Sequence, residues 1–198
     1  EKGYKVAICE QVEDPKLAKG IVRREIVRII TPGTFIDDDF NKANNFILCI
    51  SKEINRYSLT FVDISTAEMY SCIIDDGFYK VLNEISKYNP SEIIVPTSDD
   101  ELYEKIKQSF GSFVQKIDFI DLDSCYEIIL KQMEISNIDK LIAFTVGNLL
   151  RYLMDTQKIS FNYIKKFEHY SIQNYMQLDT NTKRNLELIE SIISRSKK

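Results

Sequence analysis

Three apolar runs crowd into residues 44–74, at 46–50, 57–64 and 69–74, all rich in β-branched and aromatic side chains. Only short polar breaks, at 51–56 and 65–68, separate them. Runs of this length and type read as β-strands. Links so short force antiparallel neighbours, because a parallel return needs a crossover of about a dozen residues or more. Beyond Ile74 the pattern turns to helix, strand, helix. The stretch is therefore expected to be the sheet on which the rest of the chain packs.

Downstream, Phe78, Val81, Leu82 and Ile85 recur at helical spacing and predict a helix over 78–88, stopped by Pro90. Residues 91–96 (Ser-Glu-Ile-Ile-Val-Pro) form a short apolar run of the fully buried, parallel-strand kind. Ser98 and Glu101 have the spacing of a capping box, ahead of a helix on Leu102, Tyr103, Ile106 and Phe110 that ends at Gly111. Residues 113–120 read as the last strand. Asp121 to Ser124 can then cap a helix to about residue 135, with Ile128, Ile129 and Met133 inward. The strongest periodicity spans 138–156, through Ile138, Leu141, Ile142, Thr145, Val146, Leu149, Leu150 and Leu153. Gly147 costs about 1 kcal/mol inside such a helix, so a close backbone contact is expected there.

The ends read differently. Residues 4–12 and 21–31 are expected strands, joined through a helical turn at 15–19 capped by Gly20, and Pro32-Gly33 closes the second. Two strands cannot hold a core alone. Residues 35–45 form a polar, acidic linker. Near the other end, residues 175–179 lead into an amphipathic helix over 180–193 on Leu186, Ile189 and Ile193, with Asp179 or Thr180 as N-cap. The chain opens on Glu1 and closes inside that helix, so it is expected to be part of something longer.

Charge narrows the function. The net charge is -4, but residues 33–136 carry nine basic and nineteen acidic groups, while both flanks are net basic. Nucleic-acid binding rests on neutralising phosphates, so the acidic block is a poor DNA-gripping surface, though it suits solubility or a basic protein partner. No apolar run approaches the roughly 20 residues of a membrane span. Cys9, Cys49, Cys72 and Cys125 are scattered, three of them in apolar runs, and read as reduced, buried side chains of a cytoplasmic protein.

Candidate chemistry is sparse. Six dispersed glycines include no phosphate loop. Asp37, Asp38 and Asp39 lack the alternate oxygens, central glycine and distant glutamate of a calcium loop, and read as linker. His169 stands alone in an expected loop and reads as a surface or packing residue. Ser65 and Thr66 have no histidine or lysine partner in view and are expected to bond the backbone of a turn. Three antiparallel strands followed by α-β-α-β resemble the ribonuclease-H-like arrangement, whose nucleases hold two metal ions with clustered carboxylates. Here the first strand has no carboxylate, Asp63 falls late in the second and Glu68 lies in the turn after it. No catalytic, cofactor-binding or metal residue is therefore assigned.

Four stretches, in order, resemble one family. Residues 3–34, from Gly-Tyr-Lys-Val-Ala-Ile-Cys-Glu-Gln-Val to Ile-Ile-Thr-Pro-Gly-Thr, are similar to the end of the mismatch-recognition domain of the MutS family of bacterial DNA mismatch-repair proteins. Asp63-Ile-Ser-Thr-Ala-Glu68 resembles that family's Asp-Leu-Ser-Thr-Gly-Glu segment, with Ala67 in place of glycine. Residues 148–158 are similar to its last connector helix and 176–188 to the entry of its core, or lever, domain. The first match excludes the paralogues that lack the two N-terminal domains.

The resemblance implies three parts: residues 1–32 the tail of the recognition domain, 33–170 the connector, and 171–198 the start of the helical core. It implies a ribonuclease-H-like connector without catalysis, relaying between DNA reading and the ATPase and offering surface to MutL. The mismatch wedge (Phe-x-Glu) and the ATPase belong to other regions of the parent. Mismatched duplex DNA, a homodimer partner, ATP and magnesium are thus partners of the intact protein. If the family's glycine serves a positive φ, Ala67 strains its turn. A second reading is nucleic-acid binding through the basic ends, Arg23, Arg24 and Arg28 with Lys183, Arg184 and Arg195; a metal-dependent nuclease is the third.

Overall fold

The computed structural model describes residues 4–13, 20–35, 44–110, 113–133, 137–158 and 164–172. The expected turn at 15–19, the Asp37–Asp39 run, Gly111 and everything from residue 173 lie outside them.

The three apolar runs form β3 (Phe46–Glu53), β4 (Arg56–Asp63) and β5 (Glu68–Asp75), an antiparallel meander. Helix α1 (Phe78–Tyr88) leads to β6 (Glu92–Pro96), which lies parallel to β3 on the other side of the meander. Helix α2 (Asp100–Ser109) leads to β7 (Phe113–Ile117), parallel to β6. Helices α3 (Leu122–Gln132) and α4 (Lys140–Gln157) follow. A last strand, β8 (Lys166–His169), runs parallel to β5, giving one sheet in the order β7-β6-β3-β4-β5-β8. Near the start, β1 (Val6–Gln11) and β2 (Arg24–Ile30) make a separate antiparallel pair.

Helices cover both faces of the six-stranded sheet. Leu48, Ile50, Leu59, Phe61, Ile93 and Val95 face α1 and α2, packing on Val81, Ile85, Leu102 and Ile106. Ile47, Cys49, Val62, Met69 and Ile94 face α3 and α4, packing on Ile129, Ile142, Val146 and Leu149. β4 shows how sequence alternation serves two buried faces. Tyr57, Leu59 and Phe61 go to the first face, while Ser58 and Thr60 hydrogen-bond Thr145 of α4, each at 2.8 Å. Those hydroxyls are buried but paired, which removes most of the cost of burying them.

Gly147 has the close neighbour its position demands. A Cβ there would lie 2.4 Å from Cys125 Cβ and 2.7 Å from Cys125 Cα on α3, so only glycine lets the two helices meet.

The structure corrects several expectations. The N-cap of α2 is Asp99, whose carboxylate accepts from Leu102 N at 2.9 Å, not Ser98; Glu101 turns to Lys105 instead of back to the cap. Adjacent Ser and Asp can both cap, and the ionised side chain also favours the helix N-terminus. β7 stops at Ile117 and is not the last strand, since His169, expected in a loop, ends β8. Cys49, Cys72 and Cys125 are buried, but Cys9 is exposed on β1.

Candidate functional joint at Glu92

The residues weighed for chemistry are scattered. Asp63 is fully buried, and its Oδ1 accepts from Ser65 N at 2.8 Å and Ser65 Oγ at 2.6 Å. Asp63 therefore builds the turn after β4, and Ser65 bonds a side chain as its anchor. Glu68 pairs with Asp63 in strand register, but its carboxylate accepts from Tyr70 OH at 2.8 Å. His169 is exposed, with Nδ1 3.2 Å from Ser71 O, and borders a surface hollow of about 380 Å³ with Arg56, Asp75 and Asp139. Arg56 there is already paired to both carboxylates, at 3.2 Å each. Among the described residues, no three His, Cys, Asp or Glu side chains come together to hold a metal ion.

The residue that sequence reasoning passed over is Glu92. It opens β6, an otherwise apolar strand, and is fully buried. Its carboxylate accepts four hydrogen bonds. Oε2 takes Thr31 Oγ1 at 2.5 Å and Gly33 N at 3.0 Å, both from the segment entering the module. Oε1 takes Tyr152 OH of α4 at 2.5 Å and Gln115 Nε2 of β7, and Gln115 Nε2 also donates to Tyr152 OH at 2.6 Å. An ionised carboxylate is acceptor-only with about four lone-pair sites, so four donors saturate it. Burial, and then the neighbouring Glu92 charge, push the Tyr152 hydroxyl well above the usual tyrosine range, which keeps it a donor.

The entering segment is shaped for this contact. Thr31 to Thr34 closes a turn, with Thr34 N donating to Thr31 O at 3.1 Å and Thr31 N to Thr34 Oγ1 at 2.7 Å. Pro32-Gly33 is the turn pair expected at the end of β2. Gly33 is required by approach: a Cβ would sit 2.3 Å from Ile47 Cγ1 and 2.9 Å from Glu92 Oε2. Asn45 Nδ2 ties down the segment's outer carbonyls, at 3.0 Å to both Pro32 O and Phe35 O, while Asn45 Oδ1 accepts from Ser91 Oγ at 2.5 Å. Farther back, Arg28 Nε donates to Gln157 Oε1 at 2.8 Å, and Gln157 Nε2 donates to Ile29 O at 3.3 Å. β2 is thereby held to the end of α4.

Of the basic residues weighed for nucleic acid, Arg28 is half-buried in this joint, and Arg23 pairs with Glu25. Arg24 is exposed; Lys183, Arg184 and Arg195 lie outside the described residues.

This strand order and helix placement define a ribonuclease-H-like α/β module, and the polar cluster around Glu92 joins it to the preceding strands. The chain belongs to the MutS family. Residues 45–165 match the family model for MutS domain II, and residues 1–39 match that for MutS domain I. Over its full length the chain is 67% identical to the DNA mismatch repair protein MutS of Caldicellulosiruptor saccharolyticus and 64% to that of Caldicellulosiruptor bescii. It is 42% identical to that of Ruminiclostridium cellulolyticum. It spans 23% of the length of the first two and 24% of the third. Among the described residues, no helix is long and apolar enough to cross a membrane.

Proposed function

We propose that this chain is the non-catalytic connector portion of a MutS-type mismatch-repair protein. It relays between the recognition domain, whose tail is residues 1–32, and the lever and ATPase regions that begin beyond residue 170. The observation that carries this reading is the ordered match of domain I and then domain II along one chain, at up to 67% identity to proteins named for mismatch repair. In the cytoplasm, the intact protein binds mismatched duplex DNA as a homodimer and hydrolyses ATP with magnesium, through parts outside this stretch. The connector offers docking surface to MutL, a role suited to its acidic, poorly DNA-binding central block.

The test is a titration of the chain with purified MutL, followed by amide chemical shifts, with and without heteroduplex DNA. Shifts clustered on one face of residues 33–170 are the expected result. No shift under either condition overturns docking by this module and leaves it a linker. Duplex binding by the basic ends is the rival reading, and it predicts tight, steeply salt-dependent binding by the chain alone. Occupation of Arg28 by Gln157 speaks against it.

A further inference from the structure

We infer that Glu92 is a positioning residue, a latch that fixes the direction in which β2 leaves the six-stranded sheet. The division of labour between its two oxygens carries this inference. Oε1 is held from within the module by Gln115 and Tyr152, which set the plane of the carboxylate. Oε2 is presented to Thr31 and Gly33, which belong to the entering segment. If that segment lifted away, Oε2 would exchange a hydroxyl and a backbone amide, both held in place by a closed turn, for water. Among the described residues, Glu92 forms no ion pair that would hold Oε2 in their place. Preorganised hydrogen bonds to a carboxylate stabilise beyond their exchange with water, so the docked orientation is selected over others.

The surroundings make the latch directional. Gly33 lies on Ile47 of β3 without room for a methyl, Asn45 ties the segment to Ser91, and Gln157 grips both Arg28 and Ile29. β6 through Glu92 and β3 through Ile47 thus meet one short turn while α4 grips the strand before it, and a rigid turn makes β2 and the sheet move as one body. The functional weight of the latch rests on the relay reading above: a displacement of the recognition domain is passed to the connector instead of being absorbed by a slack joint.

The latch is tested on this chain alone, with no MutL, DNA or nucleotide, so the docking reading can fail without touching the result. Spin labels are placed through Arg24→Cys on β2 and Leu130→Cys on α3, both exposed, in a Cys9→Ser background, and their distance distribution is measured by electron resonance. The starting protein is expected to give one narrow distribution. Thr31→Val, which keeps the shape but removes the donor, is expected to broaden it at least twofold and to speed amide exchange over residues 28–34 at least tenfold. Exchange in β3 and β4 stays unchanged, and Thr31→Ser restores the narrow distribution. Glu92→Gln is expected to broaden it likewise. Should Glu92→Gln fail to fold, the Thr31 pair still decides. An unchanged distribution and unchanged exchange in Thr31→Val overturn the latch.

Discussion

The chain enters and leaves this module by opposite means. At the entry, Thr31 and Gly33 are held by one buried side chain, Glu92, in a pocket that admits no methyl. At the exit, β8 is held mainly by backbone: it pairs with β5, Lys165 N donates to Ala67 O at 2.9 Å, and Tyr170 N donates to Ser71 O at 3.0 Å. Among the described residues, Tyr170 adds a buried side chain, its hydroxyl donating to Glu84 Oε1 at 2.6 Å, and Ile164, Phe167 and Ile172 pack half-buried on the cores. Backbone hydrogen bonds survive most substitutions, whereas a side-chain hub is lost with one residue. The entry should therefore be brittle to single substitutions and the exit tolerant of them.

The largest test is Glu92→Ala. It leaves buried donors on Gly33 and Tyr152 without their acceptor, while Gln115 keeps Tyr152 OH and Thr31 Oγ1 keeps Thr34 Oγ1, and it opens a small cavity. At about 1–3 kcal/mol for each orphaned donor, with partial recovery through water, the expected loss is about 3–5 kcal/mol in urea unfolding. A loss below about 1 kcal/mol would remove the basis for calling the entry brittle. Gly33→Ala comes next. Its methyl meets Ile47 Cγ1 at 2.3 Å, and overpacking of this kind costs about 1–3 kcal/mol. The decisive readout is local: amides of residues 28–34 should exchange faster while those of β5 do not.

At the exit, Tyr170→Phe removes only the hydroxyl. Glu84 keeps Lys87 at 3.0 Å, and the ring keeps its place near Tyr88, with centroids 6.3 Å apart. A hydrogen bond to a charged group contributes about 1.5–3 kcal/mol, and the remaining Lys87 pair should hold the loss to about 1–2. Exchange in β8 should stay close to its starting rate. Fraying of β8 in this variant would show that the exit, too, hangs on a side chain.

The same contrast governs what the sequence let one read. The meander, β6 and α4 were legible because each buries a periodic set of apolar residues, and that pattern is local. β8 was not. Lys-Phe-Glu-His has no apolar run, and its strand state comes from backbone pairing with β5. Glu92 was passed over for a related reason: its partners Thr31, Gln115 and Tyr152 lie 61, 23 and 60 residues away. One signal was available. A glutamate inside a strand of the fully buried kind must be paired, and that demand pointed to a polar joint without naming its members. Gly147 was readable for the same kind of reason, since its cost in a helix required a close contact.

Ala67 tests the exit at its most delicate point. Its φ is +61°, a left-handed position that glycine takes freely, and alanine sits there under strain of about 1–2 kcal/mol. Ala67→Gly relieves that strain, yet it also exposes what a methyl buried to 3% accessibility now covers, worth about 0.8 kcal/mol. Glycine further loses about 0.5–1 kcal/mol of additional chain entropy on folding. These terms nearly cancel, so the expected change in stability is within about 0.5 kcal/mol of zero. The carbonyl that accepts from Lys165 N is the same in both residues, so β8 should keep its protection. A loss above about 1 kcal/mol, with faster exchange at Lys165 and Lys166, would mean that the exit depends on packing of one methyl and differs from the entry only in degree.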